Sequence, residues 1–451
     1  MRKKMTREGR LRKPHRRNWP GFLRRLIPDQ TWRGLGGLAK QGMDPRTRWI
    51  PKQIVLCWIM IGWSNQGQLT ERFREGREAL SKMFYRRRRC GTSYQGLTQA
   101  TQRIGVDVFH QFWVRLRNSI RRRVGSAWDW HGWIVFAVDG SRVNAPRTRR
   151  NERALGRAGR AKTHPQWWIT RLIHLPTAMM WDWRQGPGTS AERDHLRAMI
   201  PSLPPRSLLV GDIGFGGFDL LWKLCRSGVS FLIRCGGNTT LLVEDTRQSI
   251  EHKGDIRWVY LWPGNRRSKT PLRLRLIVFK HKRERVYLLT NVQRQTQLSR
   301  RMAGEFYRGR WKIEVEYRGL KQTLGRSKVL ARTPEPGALE LAANIVAMSL
   351  LLLYAALALG MRVTRLSLAQ ALRAIRKAIE ALRYNASCAT LLRALRAAVR
   401  DEYERHSSKR ARDWPHKKRE RPPSPPRLRR LLAKEKTRIQ GLCMPYRAEL
   451  T

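Results

Sequence analysis

The sequence predicts a mixed α/β protein. A sheet-bearing middle region is preceded by a helical domain and followed by helices and a basic tail. Three observations predict it. GWIVFAVDGSRV, with glycines at 132 and 140, is a run of β-branched and aromatic residues of the kind that forms a buried strand. VSFLIRCGG, RWVYLWPG, LRLRLIVFK and RVYLLTNV follow one another between residues 228 and 300, and LRLRL alternates as a half-buried antiparallel strand does. PKQIVLCWIMIGWSN and VDVFHQFWVRLRNSIRRRV before these strands, and ALELAANIVAMSLLLLYAALALGM after them, are too long for strands and read as helices.

Taken in order, residues 1–30 carry 11 Lys/Arg against two acids and read as a flexible basic arm. Residues 31–130 read as a helical N-terminal domain with arginine on its surface, suited to DNA but without an identifiable recognition helix. In 131–227 the first strand ends at Asp139. Trp167–His174 and Met179–Trp183 could pair with it, and a helix is expected at Ser190–Met199. Leu208–Gly211 is a second short apolar strand ending at Asp212, with a helix expected at Phe218–Arg226. The strand-rich block occupies 228–300, and 301–362 returns to helix. Residues 363–400, amphipathic from Ser367 to Val399, are a helix-pairing region and a possible dimer contact. The tail 401–451 holds 15 Lys/Arg, seven acids and RPPSPPR, and reads as disordered.

Bulk composition narrows the partners. With 451 residues, 41% hydrophobic content and 18 tryptophans, the chain is long and apolar enough for a sizeable core. Its formal net charge is +60, from 93 Lys+Arg against 33 Asp+Glu. A compact body so charged repels itself unless a polyanion neutralises it, and nucleic acid is the partner this implies. An acidic membrane surface is the competing explanation. The apolar run 338–361 has the length to span a bilayer, but Glu340 and Asn344 near its start favour a buried core helix and no membrane. The six cysteines contain no C-x2-C pair, so neither a zinc site nor a disulfide framework is signalled, and a reducing cytoplasm is the simplest compartment. MRKKMTREGRLRKPHRRNWP lacks the apolar stretch of a secretory signal.

The chemistry is carried by YRGRWKIEVEYRGLK, where Tyr307, Arg310, Glu314 and Lys321 are spaced Tyr-x2-Arg-x3-Glu-x6-Lys. On one helix turning about 100° per residue, these four fall within an arc of roughly 60°, with Glu305 and Glu316 on the opposite face. A single acid among phosphate-seeking donors suits a metal-dependent nucleic-acid enzyme; the plainer alternative is a solvated basic helix. Asp139 and Asp212 end strands, where the loops of an α/β sheet leave room for a ligand. Either alone could be a turn or cap residue. Together with Glu314 they make a set of hard oxygen donors that selects Mg2+ or Mn2+. Two such ions about 4 Å apart activate a water or a 3′-hydroxyl and stabilise the leaving oxygen at phosphorus. Asp182, Asp194 and Asp219 are rival second acids. Asp182 stands among tryptophans, Asp194 belongs to a solvated helix face beside Arg193 and Arg197, and Asp219 opens a helix.

VDGSRV, LLVGDIGF, YLLTNV and the Tyr-x2-Arg-x3-Glu-x6-Lys run resemble the DDE transposases of bacterial insertion sequences, specifically the fourth insertion-sequence family, over roughly residues 130–360. The resemblance implies an RNase H-like core interrupted by a β-rich insertion at 228–300. It maps the catalytic, metal-ligating acids onto Asp139, Asp212 and Glu314, served by two Mg2+ ions with Mn2+ as a substitute. It maps the DNA-contacting residues onto Tyr307, Arg310 and Lys321. It implies double-stranded DNA, both transposon ends and target, as partner, a homodimeric synaptic complex, and a place in the bacterial cytoplasm at the nucleoid. Some members of the family pass through a hairpin, for which Trp258 or Trp262 would stack on a flipped base; packing within the insertion is the plainer role for both. The implied reaction is cut-and-paste transposition. An RNase H-like endonuclease without strand transfer and an inactive DNA-binding relative are the alternatives, with a non-enzymatic basic chromatin-like protein behind them.

Overall fold

The computed structural model describes residues 27–40, 48–83, 90–124, 128–157, 164–244, 255–263, 270–281, 284–358, 367–381, 397 and 423–440. The expected basic arm lies almost wholly outside these, as do much of 363–400 and both 401–422 and 441–451 of the expected tail.

Ten strands form one sheet. They are β1 (Ile134–Asn144), β2 (Gln166–His174), β3 (Met179–Pro187), β4 (Ser207–Gly211), β5 (Ser230–Arg234), β6 (Thr240–Val243), β7 (Asp255–Leu261), β8 (Leu272–His281), β9 (Glu284–Thr290) and β10 (Arg427–Arg430), in the spatial order β10-β6-β7-β8-β9-β5-β4-β1-β2-β3. β1, β4 and β5 run parallel at the centre, while β2 and β3 continue as an antiparallel meander on one side. The apolar halves of β1 and β4 are buried, as unbroken hydrophobic runs must be when both faces are covered.

Three expectations about this sheet change. The strand-rich block at 228–300 does not begin as a separate unit: β5 pairs with β4, and β9 then joins β5 antiparallel, so β6–β9 extend the same sheet. LRLRL in β8 does not present a wet face along its length. Arg275 is fully buried and donates to the carbonyls of Val292 (3.3 Å) and Leu298 (2.6 Å), because the chain after β9 folds over it. Finally, residues 423–440, inside the stretch expected to be disordered, contain β10, which pairs parallel with β6, and a helix at Ala433–Gln440. RLRR supplies Leu428 to the edge of the core, where backbone pairing outweighs the polar composition.

The long apolar helix Pro334–Ala358 is the core helix that Glu340 and Asn344 suggested. By length and composition it could cross a membrane, yet it is buried in the fold. One oxygen of the Glu340 carboxylate, Oε2, accepts the backbone N–H groups of Leu330 and Ala331 at 2.8 and 3.0 Å, which satisfies that oxygen inside the fold. The helix Pro51–Trp63 packs against it so closely at Gly62 that a Cβ there would stand 2.6 Å from the Ala347 Cβ. Trp63 Nε1 donates to the Ala347 carbonyl (2.8 Å), and the buried Arg326 guanidinium caps the end of Pro51–Trp63 by donating to the carbonyls of Ile61, Gly62 and Ser64. One continuous hydrophobic core therefore joins the N-terminal helices to the sheet.

Candidate active site

Asp139 and Asp212 stand level just past the paired stretch of two adjacent parallel strands. The expectation that the first strand ends at Asp139 is corrected, because β1 runs on to Asn144 through its pairing with β2, whereas β4 stops at Gly211. The register pairs Ala137 with Val210, so each aspartate lies two residues beyond that pair and shares its side of the sheet. Each carboxylate accepts the next backbone N–H: Asp139 from Gly140 (2.8 Å), Asp212 from Ile213 (2.9 Å), which opens a short 3-10 turn.

The third acid comes from far along the chain, and the expected single helix is in fact three segments. One helix covers Arg300–Gly309, a second covers Trp311–Arg318, and a π turn covers Gly319–Thr323. Arg310 joins the first two with helical angles (φ −52°, ψ −32°), but its N–H bonds the Tyr307 carbonyl three residues back, which tightens the chain there. The axis carries on well enough that Tyr307, Arg310 and Glu314 converge as their spacing predicted. Lys321 lies in the π turn near Arg142, half-buried, where burial first and then Arg142 lower its pKa.

Arg310 is the hub. Its guanidinium bonds Glu314 at 2.9 Å and lies 3.9 Å from both Asp139 and Asp212. Burial opposes the Arg310 charge, but Asp212, Tyr307, Glu314 and Asp139 together push its pKa up. Tyr307 donates to Asp212 at 3.4 Å, and burial followed by the charge of Asp212 raises its phenol. Asp139 is pushed up to about 6, first by burial and further by Glu314 and Asp212, against the opposing pull of Gly140 N–H and Arg310.

Sequence reasoning missed Glu192, in the first turn of the helix Glu192–Met199. Its carboxylate sits against Gly140 and Gly214, where a Cβ would stand 2.7 and 2.6 Å from its oxygens. Burial, and then the charges of Asp139 and Asp212, raise its pKa. An acid in a first helical turn is commonplace, so only the fold singles it out. The rivals are placed elsewhere. Asp182 is buried between His110 (2.7 Å) and Arg184 (2.8 Å), Asp194 pairs with Arg197 at the surface, and Asp219 opens the helix Phe218–Arg226. Glu305 pairs with Arg301 and Glu316 with Arg171, so neither joins the site, as their opposite face implied.

Among the described residues, no three Asp, Glu, His or Cys side chains stand close enough to ligate an ion as they are. The donor chemistry nevertheless fits a divalent cation: three hard carboxylates surround a point of positive charge now supplied by Arg310.

The two insertion tryptophans part company. Trp258 lies at an irregularity of β7 with φ +63°, is 41% exposed, and carries the Arg273 guanidinium 4.2 Å from its ring centre. Trp262 is buried with Leu242, Tyr260 and Leu431. The stacking expectation fails for Trp262, because strand β10 and the residue after it close over that side.

Residues 130–352 match a family model described as the transposase DDE domain. Transposase InsG for insertion sequence element IS4 of Escherichia coli (strain K12) is 24% identical over 259 residues, covering 54% of this chain and 56% of InsG. Residues 130–352 are a transposase DDE domain, and the chain is similar to the transposases of the IS4 family. The chain spans about half the length of that curated relative in the match. A cryo-EM structure of the piggyBac transposase synaptic complex with hairpin DNA covers 88% of each chain at 11% identity and a TM-score of 0.40, a likeness too low to assign a fold.

Proposed function

We propose that this transposase binds the terminal inverted repeats of an insertion sequence, cleaves the phosphodiester bonds at its ends and joins the freed 3′-OH ends to target DNA. The observation that carries this reading is the convergence of Asp139, Asp212 and Glu314 on Arg310, with the two aspartates level where the β1–β4 pairing ends. The order β3-β2-β1-β4-β5 supports an RNase H-like core, with β6–β9 as its insertion.

Asp139, Asp212 and Glu314 would hold two Mg2+ ions, with Mn2+ as a substitute, which supply an activated water or 3′-hydroxyl and a stabilised leaving oxygen. In this arrangement Arg310 exchanges its carboxylate partners for the phosphate beside the scissile bond, which its planar fork can grip through two hydrogen bonds. Tyr307 orients that phosphate by donating its O–H, and Lys321 holds a neighbouring one as a point charge. The net charge of +60 draws duplex DNA to these residues. A synaptic homodimer in the bacterial cytoplasm, at the nucleoid, completes the reading.

The test is a joining assay with purified full-length protein, paired inverted-repeat duplexes and a supercoiled target. Ends cleaved and joined in Mg2+, and neither step in chelator, are expected. Cleavage with no joined product would leave an RNase H-like endonuclease, and binding without cleavage an inactive relative.

Trp258, exposed on β7, is the residue we propose stacks on an unpaired base. Trp258→Ala should weaken binding to an end with a flipped-out base by about 1–3 kcal/mol and leave the melting temperature unchanged. Trp262→Ala should do the reverse, lowering stability by about 3–5 kcal/mol through the cavity it leaves. Equal base affinity in Trp258→Ala, measured by fluorescence anisotropy, would remove the stacking role.

A further inference from the structure

We propose that Tyr317 is a positioning residue which, together with the buried Arg171–Glu316 pair, sets where Glu314 stands relative to Asp139. The inference rests on reading Asp139 and Glu314 as active-site acids. Glu314 belongs to a helix of eight residues, about 12 Å long, which is too short to hold a direction by its own hydrogen bonds. What it docks against decides its direction. Tyr317, three residues on, is buried, and its hydroxyl donates to the main-chain carbonyl of Asp139 itself at 2.9 Å, with the Ile169 carbonyl of β2 at 3.3 Å. One side chain of the helix is thereby hydrogen-bonded to the residue whose carboxylate must meet Glu314.

Glu316 provides a second anchor. Its Oε2 lies 2.7 Å from Nη2 of Arg171, and both side chains are buried. Arg171 is the direct cross-strand partner of Asp139 in the β1–β2 ladder. The same nitrogen is 3.4 Å from Ser349 Oγ on the core helix, and the guanidinium lies 5.6 Å from the Tyr317 ring centre. The helix is therefore held from behind at the first acid itself and at its cross-strand partner Arg171, while Glu314 bonds Arg310 on the other side. Glu316 and Tyr317 have no part in metal or DNA contact on the geometry above; what they are placed to do is fix the distance between two acids that stand far apart in the chain.

The test uses full-length protein on an inverted-repeat end, comparing wild type, Tyr317→Phe and Asp139→Asn. Cleavage kcat and KM, end affinity, melting temperature and amide exchange of residues 311–318 are measured. Tyr317→Phe should lower kcat by about 100-fold, the penalty of a misplacement near 1 Å, with KM and end affinity unchanged. Faster exchange should be confined to 311–318. If Tyr317→Phe does not fold, Glu316→Gln, which keeps the side-chain shape and the Tyr317 hydroxyl, carries the same readout. Wild-type kcat per folded molecule, with only the melting temperature lowered, would overturn the positioning role. Asp139→Asn separates the two levels: cleavage retained by that variant removes the active-site reading, whereas cleavage lost there and intact in Tyr317→Phe removes the positioning inference alone.

Discussion

Asp139→Asn, Asp212→Asn and Glu314→Gln should each lower the rate of end cleavage by at least about a thousandfold, because residues that act as one catalytic unit lose nearly everything when one is removed. Each substitution keeps the side-chain shape and deletes one negative charge and one hard donor oxygen from a site whose carboxylates all face one guanidinium. DNA affinity should hold or rise, since the phosphate-seeking Arg310 loses a competitor for its charge. Gel-based cleavage of a labelled end, set beside filter binding of the same duplex, reads both effects. Asp139→Asn should also be no less stable than wild type at neutral pH. The folded carboxyl titrates at about 6, above an unfolded value near 3.9. Its stabilising contribution is therefore complete below about pH 4 and lost as pH rises towards 6, so at pH 7 the ionised Asp139 works against folding. A cleavage rate near wild type in any one of the three variants would dismantle the site.

The largest effect on stability should come from splitting the Arg171–Glu316 pair. Arg171 is 0% exposed and Glu316 2%, and burial pushes the Glu316 carboxyl up to about 7 despite Arg171 beside it. Arg171→Ala or Glu316→Ala strands the other partner as an uncompensated buried charge, which should cost about 3–5 kcal/mol. Replacing both by methionine removes the desolvation penalty along with the attraction, and should recover most or all of that loss. Denaturant melts of the two single variants and the double variant give the three free energies. A double variant as unstable as the worse single one would contradict the pairing argument.

Much of the site could be read from residues whose chemistry and local periodicity agree. Asp139 and Asp212 each terminate an apolar run, and a strand buried on both faces announces itself by composition. Tyr307, Arg310 and Glu314 share a face because helical spacing places them there, and the break at Arg310 is too slight to undo it. Lys321 falls in a π turn that spacing does not announce. Arg275 looked wet in LRLRL and is buried, since a strand's own alternation says nothing about a later segment that covers it. Trp258 and Trp262 are chemically the same and four residues apart; one irregularity in β7 and the arrival of β10 leave the first open and the second enclosed.

The sequence by itself determined the chemistry on offer: three acids at strand and helix positions, a basic surface for a polyanion, and the spacing that ties one acid to phosphate-binding donors. Only the tertiary structure decided which acids meet. It set Asp139 level with Asp212, brought Glu314 to them through Arg310, added Glu192, and placed Asp182, Asp194 and Asp219 elsewhere. The physical reason is range. Periodicity and propensity act over a few residues, whereas the distance between two carboxylates a hundred residues apart is fixed by strand register and by the buried contacts that dock one short helix on the sheet.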